Sequence, residues 1–134
     1  MVVFHFLLPI NVVIPLPFNL VGIPLFLVGA TLALSAKRLF KTTNTPIKPF
    51  DPPIRLHQNG MFSISRNPMY LGIFIGLLGI AVFLGSLVTF AFPLLFLLIM
   101  NFTFVPYEER VLDSAFGEEY LMYKKKVRRW LWPF

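Results

Sequence analysis

The chain has 134 residues, 57% of them hydrophobic and 13% charged, with 16 phenylalanines and no cysteine. Apolar runs of this extent are too long for a soluble domain of this size to bury, and the missing thiols exclude a disulfide framework, a thiolate zinc site and a thiol nucleophile. The net charge of +6 does not point to nucleic acid, because no Lys, Arg, Asp or Glu precedes Lys37 and none falls between Arg66 and Glu108.

Residues 1–17, MVVFHFLLPINVVIPLP, are apolar but broken by Pro9, Pro15 and Pro17, and too short for the roughly 20 residues of a spanning helix. They lack a basic start and a small-residue cleavage site, which argues against a signal peptide. A short, kinked or re-entrant segment is the expectation. Residues 18–40 read as a transmembrane helix, with Gly22, Gly29, Ala33 and Ala36 near one face and Lys37 and Arg38 stopping it on the cytoplasmic side.

Residues 41–66 carry loop composition, with Pro46, Pro49, Pro52, Pro53 and Gly60. Phe50, Ile54, Leu56, Met61, Phe62 and Ile64 are too many apolar anchors for a free linker, so the loop is expected to fold back on the helices. Asn67 and Pro68 form a helix-start signal, since Asn favours the N-cap and Pro the first helical position. A hairpin over 68–106 follows. Its first arm carries Gly72, Gly76 and Gly79, its turn is Gly85-Ser86, and its second arm is bent at Pro93 and ends near Pro106.

Over 107–132, Leu112, Phe116, Tyr120, Tyr123, Val127 and Trp130 recur at intervals of three and four between charges. That pattern predicts an amphipathic interfacial helix, divided at Gly117. The fold class is therefore all-α: one polytopic membrane domain over 1–134, with three to four transmembrane helices and the C-terminal amphipathic helix. Loop 41–66 and the C-terminal tail fall on the cytoplasmic side, where Lys37, Arg38, Lys41, Lys48, Arg55, Arg66 and the run from Lys124 to Arg129 meet lipid headgroups.

Hairpin geometry brings Arg66, Asn67 and Tyr70, at one helix start, close to Glu108 and Glu109, where the returning helix leaves the bilayer. A helix N-terminus suits a carboxylate or phosphate, and Glu108 suits an ammonium group. Together they would grip a zwitterionic amino-acid end, leaving Phe62 and Tyr70 to pack on a heterocycle or sulfonium. Each feature has a plainer reading: Asn67-Pro68 as an ordinary helix start, and the Glu pair as a solvated offset to the basic tail. His5 and His57 lie far apart, which argues against a metal site.

The stretch GMFSISRNPMYLG, a hydrophobic hairpin, and then EERVLDSAFGEEYLMYKKKVRRWL together resemble the membrane methyltransferases related to isoprenylcysteine carboxyl methyltransferase and phospholipid N-methyltransferase. The resemblance covers roughly the last two thirds of the chain. It rests on an Arg-Asn-Pro-x-Tyr-x-Gly pattern, then Glu-Glu, then Phe-Gly-x-x-Tyr-x-x-Tyr. It implies an S-adenosylmethionine site at Ile54, Arg55, Leu56, His57, Phe62, Asn67, Pro68, Met69, Tyr70 and Glu108. Arg66 and Glu109 are the candidate catalytic residues. The acceptor would be a lipid-soluble molecule, an isoprenylcysteine-type carboxylate or a lipid. The best understood eukaryotic members have His where this chain has Asn67, His-Thr where it has Ile54 and Arg55, and a substrate-contacting Arg where it has Phe104.

In-line methyl transfer needs no covalent nucleophile, so a dry site that aligns the partners suffices. A carboxylate acceptor needs no general base; an amine would have to lose a proton, with Glu109 or His57 as the nearby candidates. Two other classes compete. An NADPH-dependent membrane reductase of the steroid-reductase type would need Arg-rich phosphate contacts, which are not evident. A transporter would place ionisable residues inside its spans, and a scaffold would tolerate alanine at Arg66, Asn67, Tyr70 and Glu108.

Overall fold

The computed structural model describes residues 1–8, 11–45 and 52–131. Among these, six α-helices account for most of the chain: α1 (Val2–Leu7), α2 (Gly22–Thr42), α3 (Pro68–Leu84), α4 (Ala91–Ile99), α5 (Val105–Phe116) and α6 (Glu118–Lys126). The described residues hold no strand, only one isolated antiparallel bridge between Val12 and Ser86. Phe50, counted above among the loop anchors, lies outside the described residues.

Helices α2 and α3 make the most extensive packing contact in the fold. A Cβ at Gly29 would overlap the backbone N of Gly76 and stand 2.6 Å from Gly72 O, and one at Gly72 would stand 2.5 Å from Ala33 N. The glycines expected to permit close approach therefore do so in matched pairs, backbone against backbone. Gly76 differs, its nearest neighbour being a Phe26 ring carbon at 3.8 Å.

Phe18–Thr42 and Leu87–Phe116 are each long and apolar enough to cross a membrane, and Pro68–Leu84 is a shorter apolar helix. The second of these does not stop near Pro106. A 3-10 turn at Leu87–Phe90, α4, a π-helical turn at Met100–Phe104 and α5 run on as one rod. Proline has no N–H and its ring crowds the carbonyl four residues back; the wider π turn just ahead of Pro106 accommodates both.

At the hairpin tip, Gly85 takes φ 72°, a left-handed conformation suited to glycine, and Ile14 O closes over it where any Cβ would sit. The N-terminal segment is tied to this tip. Val13 N–H and Ile14 N–H donate to Gly85 O at 2.7 and 3.1 Å, Leu87 N–H donates to Asn11 O at 3.2 Å, and His5 Nδ1 lies 2.8 Å from Ser86 Oγ. Among the described residues of 1–17, only Val2–Leu7 forms an α-helix.

At the other end, loop residues 52–66 fold back as expected. Phe62, Tyr120, Tyr123 and Val127 form one buried cluster, with Leu39, Phe40, Leu56, Met61, Leu112 and Phe116 around it. The apolar stripe of the tail is thus covered by protein. Gly117, at φ 55°, ends α5 and begins α6, and α6 itself ends at Lys126, so Val127 and Trp130 reach the interior from a non-helical strap. Trp130 is fully buried against Leu71, Leu97 and Val105.

Candidate active site

A cavity opens at the start of α3, walled by Arg55, Leu56 and His57 from the loop, Phe62 from the 3-10 turn Gly60–Ser63, Arg66 to Tyr70 from the collar, and Glu108 from α5. Phe40, Thr45, Pro53, Val111, Leu112 and Tyr123 complete it. Nine of the ten residues expected to bind cofactor line this one space. The tenth, Ile54, points outward and is 68% exposed, on a shallower groove beside Gln58 and Glu119. Arg66 is also on the wall. Glu109, one residue along the helix from Glu108 and so rotated by about 100°, is buried behind it.

Asn67 occupies the N-cap position of α3 with backbone angles outside the helical region, but its side chain does not cap the helix. Asn67 Nδ2 instead donates to Arg129 O at 3.2 Å. Pro68 has no N–H, and the first helical bond runs from Leu71 N–H to Asn67 O, which leaves Met69 N–H and Tyr70 N–H as the open donors at the helix end. Across the cavity wall, Tyr70 O–H donates to Glu108 Oε1 at 2.7 Å. That bond orients the carboxylate and leaves its second oxygen for another donor.

The aromatic part of the wall is pinned as well. His57 stacks on Phe62, with ring centroids 5.4 Å apart, and meets Phe40 edge-on at 5.3 Å. His57 Nε2 lies 3.1 Å from Thr45 Oγ1, and Tyr123 O–H donates to Phe62 O at 2.6 Å. Burial, and then the Arg55 charge, lower the His57 pKa below its ordinary 6.5, so its imidazole is neutral at pH 7.

Behind the wall lies a network that the sequence did not disclose. Glu109 accepts a bidentate pair from Arg129, Nε to Oε1 at 2.9 Å and Nη2 to Oε2 at 2.6 Å, and pairs with Arg66 Nη1 at 3.0 Å. Arg129 Nη1 also donates to Asn101 Oδ1 at 3.0 Å, an oxygen shared with Trp130 Nε1 at 3.0 Å. Asn101 sits in the π turn. It was the one signal available: a lone amide inside LLFLLIMNFTF, where an apolar helix has no reason to carry one unless it hydrogen-bonds across the bundle. Arg129 gave none, lying in a basic run whose other members are exposed or partly exposed.

A family model described as phospholipid methyltransferase matches residues 18–119, about three quarters of the chain. The chain belongs to the phospholipid methyltransferase family. An uncharacterized protein of Haemophilus influenzae is 41% identical over 63 residues, 47% of this chain and all of that protein. The protein-S-isoprenylcysteine O-methyltransferase of Schizosaccharomyces pombe is 39% identical over 72 residues, 52% of this chain and 29% of that protein. The chain thus aligns with less than a third of the yeast enzyme's length. No solved structure matches it significantly. Family membership and the apolar helices support a membrane methyltransferase, and a methyltransferase family implies S-adenosylmethionine as the methyl donor.

Proposed function

We propose that the chain transfers a methyl group from S-adenosylmethionine to a hydrophobic acceptor, an isoprenylcysteine-type carboxylate or a lipid, that reaches the cavity from the bilayer. In this reading α2, α3 and the Leu87–Phe116 rod cross the membrane, and loop 41–66, the cavity and the C-terminal tail face the cytoplasm. The observation that carries it is the convergence of the α3 start, Glu108 and the loop residues Arg55 to His57 on one cavity.

The wall has the donor set for a zwitterionic, heterocycle-bearing ligand. Met69 N–H and Tyr70 N–H, at the positive end of the α3 dipole, suit a carboxylate, and the Glu108 oxygen left free by Tyr70 suits an ammonium group. The Phe62–His57 stack supplies a flat apolar face. When bound, S-adenosylmethionine supplies the electrophilic methyl group.

The protein's contribution is binding, alignment and exclusion of water. Glu109 is committed to two guanidinium groups and is not a free proton acceptor. Neutral His57 is the remaining acceptor on the wall for a substrate that must lose a proton. A carboxylate acceptor attacks through its own oxygen and needs none.

Incubating membranes that contain the protein with methyl-labelled S-adenosylmethionine and extracting the lipids tests this reading. Label above the vector control in the lipid or lipidated fraction is expected. Absence of label, together with absence of donor binding to the purified protein, would reject it.

A further inference from the structure

The tail strap Arg128–Trp130 is bonded to the cavity's collar through its backbone and to the buried acid through a side chain. Arg129 O accepts from Ser65 Oγ at 2.9 Å and from Asn67 Nδ2 at 3.2 Å, and Arg128 O accepts from Arg66 N–H at 2.9 Å. The Arg129 side chain holds Glu109 and Asn101, and Glu109 in turn holds Arg66. Arg129 therefore fixes both collar residues that begin the cavity wall, Asn67 through its carbonyl and Arg66 through a shared carboxylate.

Stability alone is a poor account of this arrangement. A buried Arg–Glu–Arg triad costs desolvation of three charges, and apolar side chains of equal volume often stabilise a fold as well or better. Two consequences bear on the cavity. An Asn side chain at an N-cap ordinarily turns back to bond its own helix's N–H groups; here it is drawn off to Arg129 O, and the helix end stays open. The triad also carries two cations against one anion, which leaves one excess positive charge behind the collar. Arg66 presents this charge at the wall, and its Nε is buried with no hydrogen-bond partner.

We propose that Arg129 is a positioning residue for the carboxylate pole of the bound ligand, acting through Asn67 and Arg66 without touching the ligand. This rests on the donor-binding reading above, and it goes beyond that reading in assigning a binding role to a tail residue outside the cavity.

Calorimetric titration of the detergent-purified full chain with two probes isolates the effect: S-adenosylhomocysteine, which has the amino-acid end, and 5′-methylthioadenosine, which lacks it. R129Q is expected to weaken S-adenosylhomocysteine about tenfold or more, the scale of a lost charge-assisted interaction, while 5′-methylthioadenosine changes less than about twofold. R129K keeps the charge but loses the bidentate geometry and falls between wild type and R129Q; it also carries the test if R129Q does not fold. W130F, which removes the neighbouring bond to Asn101, lowers Tm but leaves both affinities in place.

Equal weakening of both probes by R129Q or R129K would make Arg129 merely structural and overturn the proposal, as would unchanged affinity for both. Wild-type protein that binds neither probe would remove the donor-binding reading itself, and this proposal with it.

Discussion

The two ends of the α2–α3 pair are held by opposite means. From Gly72, one turn into α3, to Gly79 near the hairpin tip, the contact is backbone against backbone, Gly29 meeting Gly72 and Gly22 meeting Gly79, and bonds from the N-terminal segment to Gly85 and Ser86 close the tip. Toward the cavity, the start of α3 and its collar are fixed by the carboxylates of Glu108 and Glu109 on α5 and by the backbone carbonyl of Arg129 on the tail strap. In lipid, where apolar surface gains nothing from contact with more apolar surface, close packing of small residues supplies cohesion without chemistry. The polar rim does the reverse: its groups are costly to bury and are arranged around a space. Substitutions at the first end should therefore move stability, and substitutions at the second should move binding.

The largest expected effect is at the glycine seam. Gly29→Leu places a side chain into the Gly76 and Gly72 backbone, which no rotamer change relieves, and costs upwards of about 3 kcal/mol; thermal melts in detergent should show a collapsed or absent transition. At the rim, Glu108→Gln should reduce S-adenosylhomocysteine affinity about tenfold or more by calorimetry, with Tm close to wild type. A melt that falls as far as for Gly29→Leu would erase the contrast between the two ends.

His57 gives a pH-dependent form of the same test. Its folded-state pKa is depressed, so the folded protein favours the neutral ring. Its contribution to stability is complete above the ordinary imidazole value of 6.5 and is lost as pH falls through the lowered one. Wild-type Tm should drop more steeply than that of His57→Gln between about pH 7 and 5; parallel slopes would show that His57 is not the titrating group. Tyr70→Phe removes one hydrogen bond to Glu108 and should weaken binding by a smaller factor, roughly three- to tenfold. Gly76→Ala should be nearly silent in both measurements, since an added Cβ meets only a ring carbon at ordinary contact distance.

The sequence announced the features whose signal is local. Asn67-Pro68 marked the α3 start, the glycine spacing marked the seam, and Gly117 marked the break between α5 and α6. The cavity's walls followed from the resemblance together with hairpin geometry. What it withheld depended on distant partners. Asn67 looked like an ordinary cap because nothing near it in the chain reveals that residue 129 draws its side chain away. Pro106 looked like a helix stop because a π turn is not readable from side-chain period. Glu109 looked like a free carboxylate beside Glu108 because its two arginines lie 43 and 20 residues away in opposite directions along the chain. The basic tail read as uniform, although one of its arginines turns inward.

The most direct measurement compares S-adenosylhomocysteine with its des-amino analogue on wild-type protein and on Glu108→Gln. If the α3 end and Glu108 hold opposite poles of one small molecule, wild type should prefer the amino-bearing compound by about tenfold or more, and Glu108→Gln should bind the two alike. A Glu108→Gln protein that keeps the full wild-type preference would show that the ammonium group lies elsewhere and would contradict the account.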